Sequence, residues 1–475
     1  MPSLLILIPL FGIIILNLPL GSLFRRLAFW FAIALFVIQI ILAVFHHPVF
    51  WSGDVERTDY LFNMNFSVDH LGFIMFLCIG IVSLASLAVA RYTISDEKGM
   101  FRFINLLIIT SIGMSGIVLA KDIFSLYVFL EVTAISSFIL IAFDKGASAL
   151  EGAFKYMLLS AIATVLMISA IALLLLISSG TSFSAIHEAL EQTNLNYITM
   201  IAIGMFICGL LIKGALVPFH GWLPDAYMAA PAPVSVLLAG IVTKTAGIYT
   251  LIRVVTVSFG FTEPLKNILM FIGTASILIG AFAAIGQDDF KRMLAYSSIS
   301  QVGYIVLGLG SGTGLGIAGA AFHLFNHAIF KSLLFVNSAS VERRLGTNDM
   351  NRMSGLSVKM PFTGATSVVG LLSASGIPPL AGFWSKIIII IALWQANYPI
   401  YAVIAILASI VTLAYFLTMQ RRVFFGKLME GLEGLKEADA GIVFVSCALA
   451  IIAIGTGVFF PVVFNTFILP IMLSK

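Results

Sequence analysis

Hydrophobic positions in this chain do not alternate with polar ones. They run in long blocks, cut by short polar or Gly/Pro segments. A membrane-crossing helix needs roughly 20 apolar residues. Blocks of that scale predict about fourteen helices, over 3–20, 28–45, 70–90, 103–120, 122–143, 156–178, 198–217, 233–256, 265–285, 292–310, 315–341, 362–395, 399–420 and 441–472. The first reads as a span and not as a signal peptide, because no basic residue precedes it and Arg25 and Arg26 follow it. The twelfth is too long for one straight crossing and holds Gly376, Pro378 and Pro379. Interior proline removes a hydrogen bond and clashes with the preceding turn, so a broken helix is expected there. The seventh, CGLLIKGALVPFHGWLPDAYMAAPAPVSVLLAG, is punctuated by Gly214, Pro218, Gly221, Pro224, Pro231 and Pro233 and is expected to break as well. A proline kink serving packing alone would leave the same signature.

Composition supports lipid as the main solvent. Hydrophobic residues make up 60% and charged residues 10%, against roughly 45–50% and 25% in soluble domains, and mean hydropathy is +1.09. The net charge of +4 is small and dispersed, with no basic run interleaved with aromatics, which argues against nucleic-acid binding. The position of the charges says more than their sum. Loops after odd-numbered blocks carry seventeen Lys and Arg, among them Arg25, Arg26, Lys155, Lys291, Arg292, Arg421 and Arg422; those after even-numbered blocks carry four, Arg57, Lys121, Arg253 and Lys266. By the positive-inside rule the odd loops are cytoplasmic. Both termini, including Lys475, then face outward from an inner (plasma) membrane.

Four lysines remain inside apolar blocks: Lys213, Lys244, Lys331 and Lys386. Among the acids, Glu131 stands far from a block end, nine residues past Asp122, or about 14 Å along a helix. Five such charges cost on the order of 12–17 kcal/mol on insertion scales, comparable to a domain's net stability. Burial disfavours a charged form and an opposite charge restores it, so groups poised between the two can pass protons. The eleventh block, AAFHLFNHAIFKSLLF, adds His323 and His327 in i, i+4, i+8 spacing with Lys331. These stack on one helix face, as a proton wire or as a polar stripe packed on a neighbouring helix. His220, beside Pro218, is read as capping the broken helix or lining an access path; His46, His47, His70 and His187 are read as solvated.

No other chemistry is expected. The histidines have no Cys or carboxylate partners at ligand spacing, so no metal is expected. Cys78, Cys208 and Cys447 are single and read as small hydrophobes. GLGSGTGLGIAGAAF (308–322) has G-x-G spacing but no strand-to-helix setting, and close helix packing explains it better than phosphate binding. No cofactor and no redox or hydrolytic site is expected in this chain, so any energy source lies in partners. The two interrupted spans lie five apart, which points to two inverted halves, spans four to eight and nine to thirteen. Lys213 precedes its break, however, while Lys386 follows its own.

LIKGALVPFHGWLPDAYMAAPAPVSVLLAGIVTKTAGIY, KRMLAYSSISQVGYIVLGLG, FHLFNHAIFKSLLF and GIPPLAGFWSK resemble the antiporter-like subunits of the complex I superfamily. That group includes complex I subunits, the D subunit of Mrp-type cation/proton antiporters and subunits of membrane-bound hydrogenases, and the resemblance covers roughly residues 70–420. It implies an all-α membrane protein of fourteen helices, with two inverted five-helix repeats and broken seventh and twelfth helices. The implied organisation is a three-helix segment (1–102), repeats over 103–257 and 258–420, and a cytoplasmic loop with a final helix (421–475). Residue by residue, Glu131 in YVFLEVTA is similar to the fifth-helix glutamate and Lys213 to the seventh-helix lysine paired with it. Lys244 resembles the eighth-helix relay lysine, and His323, His327 and Lys331 the eleventh-helix relay. Lys386 resembles the twelfth-helix terminal residue, where lysine argues against the complex I type that carries glutamate. The long lateral helix and extra spans of the largest subunit type are not expected.

The implied function is proton translocation within a multi-subunit ion-pumping complex, coupled to Na+ exchange or to a redox reaction in other membrane subunits. A stand-alone secondary transporter and a non-conducting scaffold are the competing readings.

Overall fold

The computed structural model describes residues 2–18, 22–46, 58–61, 64–192 and 197–473. The expectations placed on His47, Arg57 and Lys475 lie outside them. The described chain is almost wholly helical: α1 Leu4–Leu16, α2 Ser22–His46, α3 His70–Thr93, α4 Glu97–Leu119, α5 Ile123–Ile141, α6 Ala147–Leu174, α7 Phe183–Gln192, α8 Tyr197–Lys213 and α9 Trp222–Ala229. These are followed by α10 Ala232–Phe259, α11 Glu263–Ile285, α12 Phe290–Gly310, α13 Gly314–Leu345, α14 Pro361–Ser375, α15 Ala381–Gln395, α16 Pro399–Val423, α17 Ala440–Val458 and α18 Phe460–Met472. Among the described residues, eleven helices are long and apolar enough to cross a membrane. One hairpin departs from the all-α expectation: Thr58–Leu61 pairs antiparallel with Met64–Ser67.

Local chemistry sets where the helices start. Asp69, Asp96, Asp122, Asp289 and Thr313 precede α3, α4, α5, α12 and α13, and each side chain accepts a backbone N–H of the first turn. Such caps satisfy amides that the helix itself cannot. The layering reverses that of a soluble protein. α10, α12 and α13 are buried along nearly their whole length and hold the polar residues, whereas α2, α6, α16 and α17 turn apolar faces outward. Phe154 and Val165 of α6, Phe271 and Phe282 of α11 and Ile410 of α16 are more than half exposed. With lipid as solvent that surface is the stable one.

Both expected breaks are present. α8 ends at Lys213, and residues 214–218, including Pro218, carry the chain through a short turn (Phe219–Gly221) holding His220 into α9. α14 ends at Ser375; Gly376 then takes the left-handed conformation (φ +80°), and Pro378 and Pro379 lie in the gap before α15. Each break is gripped by glycine. A Cβ on Gly247 of α10 would stand 2.3 Å from the Cα of Gly214, and one on Gly382 would stand 1.8 Å from the carbonyl oxygen of Ser373. Gly382→Ala and Gly247→Ala are each expected to cost about 1–3 kcal/mol through overpacking. Thermal unfolding in detergent checks this, and unchanged melting would mean that the backbones separate freely. The glycine-rich stretch 308–322 also serves packing: Gly308 and Gly319 lie against Ile389 of α15.

Other expectations need correction. Lys155, expected in a loop, lies inside α6 because that helix starts at Ala147, and it pairs with Asp225 of α9 at 2.6 Å. Arg253 also lies inside a helix, α10, and is only 5% exposed. Its guanidinium binds the Asp69 carboxylate (Nη2 to Oδ1 2.8 Å) and the Tyr249 hydroxyl (2.7 Å), so a loop was not needed to shelter its charge. Lys291 is buried at the start of α12 and pairs with Glu342 of α13 at 2.7 Å. His187 is not simply solvated: it sits on α7, with Nδ1 3.1 Å from the Ser258 carbonyl oxygen. The last block, 441–472, is interrupted at Phe459 between α17 and α18.

Candidate functional site

The charges singled out from the sequence fall into two groups. In the first, Lys213 on the last turn of α8 donates to Glu131 Oε1 of α5 at 3.0 Å and to Ser160 Oγ of α6 at 3.3 Å. The same Glu131 oxygen accepts the Thr164 hydroxyl at 2.7 Å. The lysine side chain is 1% exposed and the glutamate 25%. Placing an ammonium on the last turn of a helix is favourable, because the unpaired carbonyls there carry partial negative charge.

The second group fills the middle of the molecule. Lys244 of α10 is fully buried and its ammonium donates to the Ala239 carbonyl of its own helix, between two π-helical turns (Leu238–Val242 and Lys244–Tyr249). Lys331, His327 and His323 descend one face of α13, and the two imidazoles stack at 6.3 Å with 10° between planes. His323 shares a 2.9 Å hydrogen bond with Ser385 of α15 through Nδ1. His327 lies within electrostatic reach of Lys244, Lys331, His323 and Lys386, which makes these five one cluster. Among the described residues, neither ring nitrogen of His327 has a protein partner, nor does His323 Nε2.

Lys386 resolves the mismatch between the two breaks. It follows its break in sequence, yet its ammonium reaches back to the Ala374 carbonyl at 2.9 Å, in the last turn of α14. Both break lysines therefore serve the C-terminal end of the first half-helix, Lys213 from its own last turn and Lys386 from the next helix. The Lys386 ammonium also lies 4.4 Å from the centre of the Tyr304 ring.

The two groups do not touch through these side chains. They meet at the Gly214–Gly247 contact, where the seventh break packs on the helix of Lys244. His220 lies partly exposed within that break, off the row. Sequence reasoning missed the partners that line the row. Ser297 accepts the Lys331 ammonium, Tyr304 packs on His323 at 5.9 Å between ring centres, and Gln301 lies fully buried between them on α12. The signal was present: 297, 301 and 304 are spaced i, i+4, i+7 and share one face of α12.

A family model described as NADH:quinone oxidoreductase/Mrp antiporter, TM, matches residues 120–412. The chain belongs to this family. All seven residues of the two groups lie inside the matched region. NADH-quinone oxidoreductase subunit N of Desulforudis audaxviator is 34% identical over 322 residues, 67% of this chain and 64% of that relative. The D subunit of the Na(+)/H(+) antiporter of Alkalihalophilus pseudofirmus is 33% identical over 361 residues, 74% of this chain and 72% of the relative. In the structure of the Mrp complex from Dietzia sp. DQ12-45-1b, one chain superimposes with a TM-score of 0.89 over 99% of this chain and 97% of that one; at 22% identity the likeness is one of fold. The family member described here is a multi-pass integral membrane protein.

Proposed function

We propose that the chain is the proton-translocating, antiporter-like subunit of a multi-subunit membrane complex. It crosses the cell membrane fourteen times with both termini outside, and holds two inverted five-helix repeats, 103–257 and 258–420. The carrying observation is the buried row Lys244, Lys331, His327, His323 and Lys386, which has backbone carbonyls, hydroxyls and an aromatic face around it and no carboxylate partner among the described residues. A merely structural charge would be paired, as Lys291 and Arg253 are. The unpartnered imidazole nitrogens call for water, since buried polar groups are almost always hydrogen-bonded. Water between titratable groups about 6 Å apart makes a proton path. Separating Glu131 from Lys213 would release the lysine's proton toward Lys244, and the row would carry it to Lys386.

The partly exposed Glu131 supports a partner. A carboxylate facing lipid near mid-membrane is costly, and a neighbouring subunit on that face of α5 relieves the cost. Proteins of related sequence carry the names of complex I and Na(+)/H(+) antiporter subunits. The coupled reaction is accordingly assigned to partners and the cofactor set of this chain to none.

The test uses the assembled complex in liposomes. Lys244→Met and Lys386→Met are each expected to lower proton flux at least about tenfold with assembly intact, since each removes an obligatory general acid–base site. Normal flux in both would make the chain a scaffold, and full flux from the chain alone would make it a self-sufficient transporter.

A further inference from the structure

We propose that the groove between α4, α5 and α6 binds one anionic phospholipid, its phosphate held by Arg102 and Lys145 and an acyl chain lying on Phe138, Phe154 and Met157. The groove is a cavity of about 590 Å³ whose lining, apart from those two cations, is entirely apolar. That is room for roughly twenty groups of the size of water, the scale of one acyl chain. Its cations stand at one end, where α4 begins and α5 gives way to α6.

Four observations favour a phosphate over other occupants. First, Arg102 and Lys145 have no carboxylate partner among the described residues, whereas Lys155, Arg292, Arg344 and Arg422 near the same membrane face all do. The Arg102 Nε only touches the Lys98 carbonyl of its own helix, at 3.4 Å. Second, neither Asp144 nor Asp96 forms an ion pair with these two cations among the described residues. Asp96 caps α4 through a 2.7 Å hydrogen bond from the Gly99 amide.

Third, Lys145 holds a left-handed backbone (φ +56°) while the glycine beside it, Gly146, keeps a negative φ (−67°). L-residues pay for that conformation, so a side chain is kept at the groove mouth where glycine would be easier. Fourth, a second cavity of about 500 Å³, lined by Asp96, Lys98, Phe101 and Arg102, adjoins the mouth and leaves room for a headgroup beside Arg102, the Lys98 and Asp96 charges offsetting one another. An apolar slot closed by unpaired basic side chains at the membrane surface matches a phospholipid headgroup and tail.

The test is native mass spectrometry of the detergent-solubilised complex with added phosphatidylglycerol or phosphatidylcholine, together with crosslinking by a diazirine-tailed phosphatidylglycerol. The wild type is expected to retain one phosphatidylglycerol with a preference of about thirtyfold, roughly fivefold from each basic group near the headgroup, and to be labelled on residues 138–157. Arg102→Gln and Lys145→Gly should each lose about fivefold, and the double variant should lose the preference and the label. Lys145→Gly suits the local backbone, so its lipid count decides the matter if the double variant misfolds. An undiminished preference in Lys145→Gly, label outside the groove, or a Phe154→Cys crosslink to a partner subunit in place of lipid would overturn the assignment.

Discussion

Lys213→Met is expected to stop proton movement through the assembled complex and to destabilise it by on the order of 3 kcal/mol, the low end for breaking a buried ion pair. The low end applies because the partner, Glu131, is 25% exposed while Lys213 is 1% exposed. The variant leaves a carboxylate with only the Thr164 hydroxyl, donated at 2.7 Å, against its charge. Adding Glu131→Gln removes that uncompensated charge, so the double variant should recover most of the stability, because an apolar or neutral replacement of a whole pair is often close to neutral. It should not recover transport. A unit-charge pair at about 4 Å is worth about 4 kcal/mol at an effective dielectric near 20, or roughly three pH units of proton affinity, and the double variant has no such switch. Melting in detergent and dye-monitored acidification of liposomes separate the two effects. Undiminished acidification in Lys213→Met would remove this pair from the path.

Arg253→Leu should do the opposite, with a loss of about 3–5 kcal/mol and normal transport per surviving complex. The Arg253 guanidinium is 5% exposed and joins Asp69, at the start of α3, to Tyr249, whose hydroxyl donates to the Val118 carbonyl of α4 at 2.9 Å. Three helices are thus tied at one end. Burial would raise the Asp69 pKa, but the charge and hydrogen bonds of Arg253 outweigh it and hold the carboxyl well below its ordinary range. A depressed carboxylate contributes fully above its unfolded pKa of about 3.9 and loses that contribution only as pH falls through the folded value. The stability gap between wild type and variant should therefore stay flat from about pH 5 to pH 8 in thermal melts. A specific transport rate that falls with the melting temperature would instead put Arg253 in the conduction route.

These two pairs also mark how far the sequence could be read. Glu131 stood out because it interrupts an apolar block far from its ends, and Lys213 because it lies inside a block that glycine and proline break just after it; helix geometry leaves such charges few ways out. Arg253 sits three residues before the end of the predicted block 233–256 and six before the end of α10, so its charge reads as part of the loop that follows. Its burial depends on Asp69, 184 positions away, and a contact of that range leaves no local trace. The helix breaks were legible because proline and glycine act locally. The end of the break that each lysine serves was not, since Lys386 reaches backwards across a gap whose shape comes from packing. Ser297, Gln301 and Tyr304 were legible in principle through their shared face, but weakly polar residues raise no alarm in a span whose neighbours carry lysines. The hairpin at 58–67 was missed because its alternation is short and lies between two long apolar blocks.

The glycine contacts at the breaks bear on what can move. Gly247 lies on the backbone of Gly214, and a Cβ on Gly457 of α17 would stand 2.3 Å from the Pro379 carbonyl oxygen. Main chain rests on main chain at both interruptions, with no side chain between to act as a cushion. Opening either gap would strip backbone from its neighbour, so these unwound segments are stiff joints and not hinges. The lysine stems and imidazole rings can change partners by rotation about their own bonds, a local step that does not require the microsecond-to-millisecond rocking of helices. Such a frame lets charge be passed on by side-chain rotation without parting the backbones at the breaks.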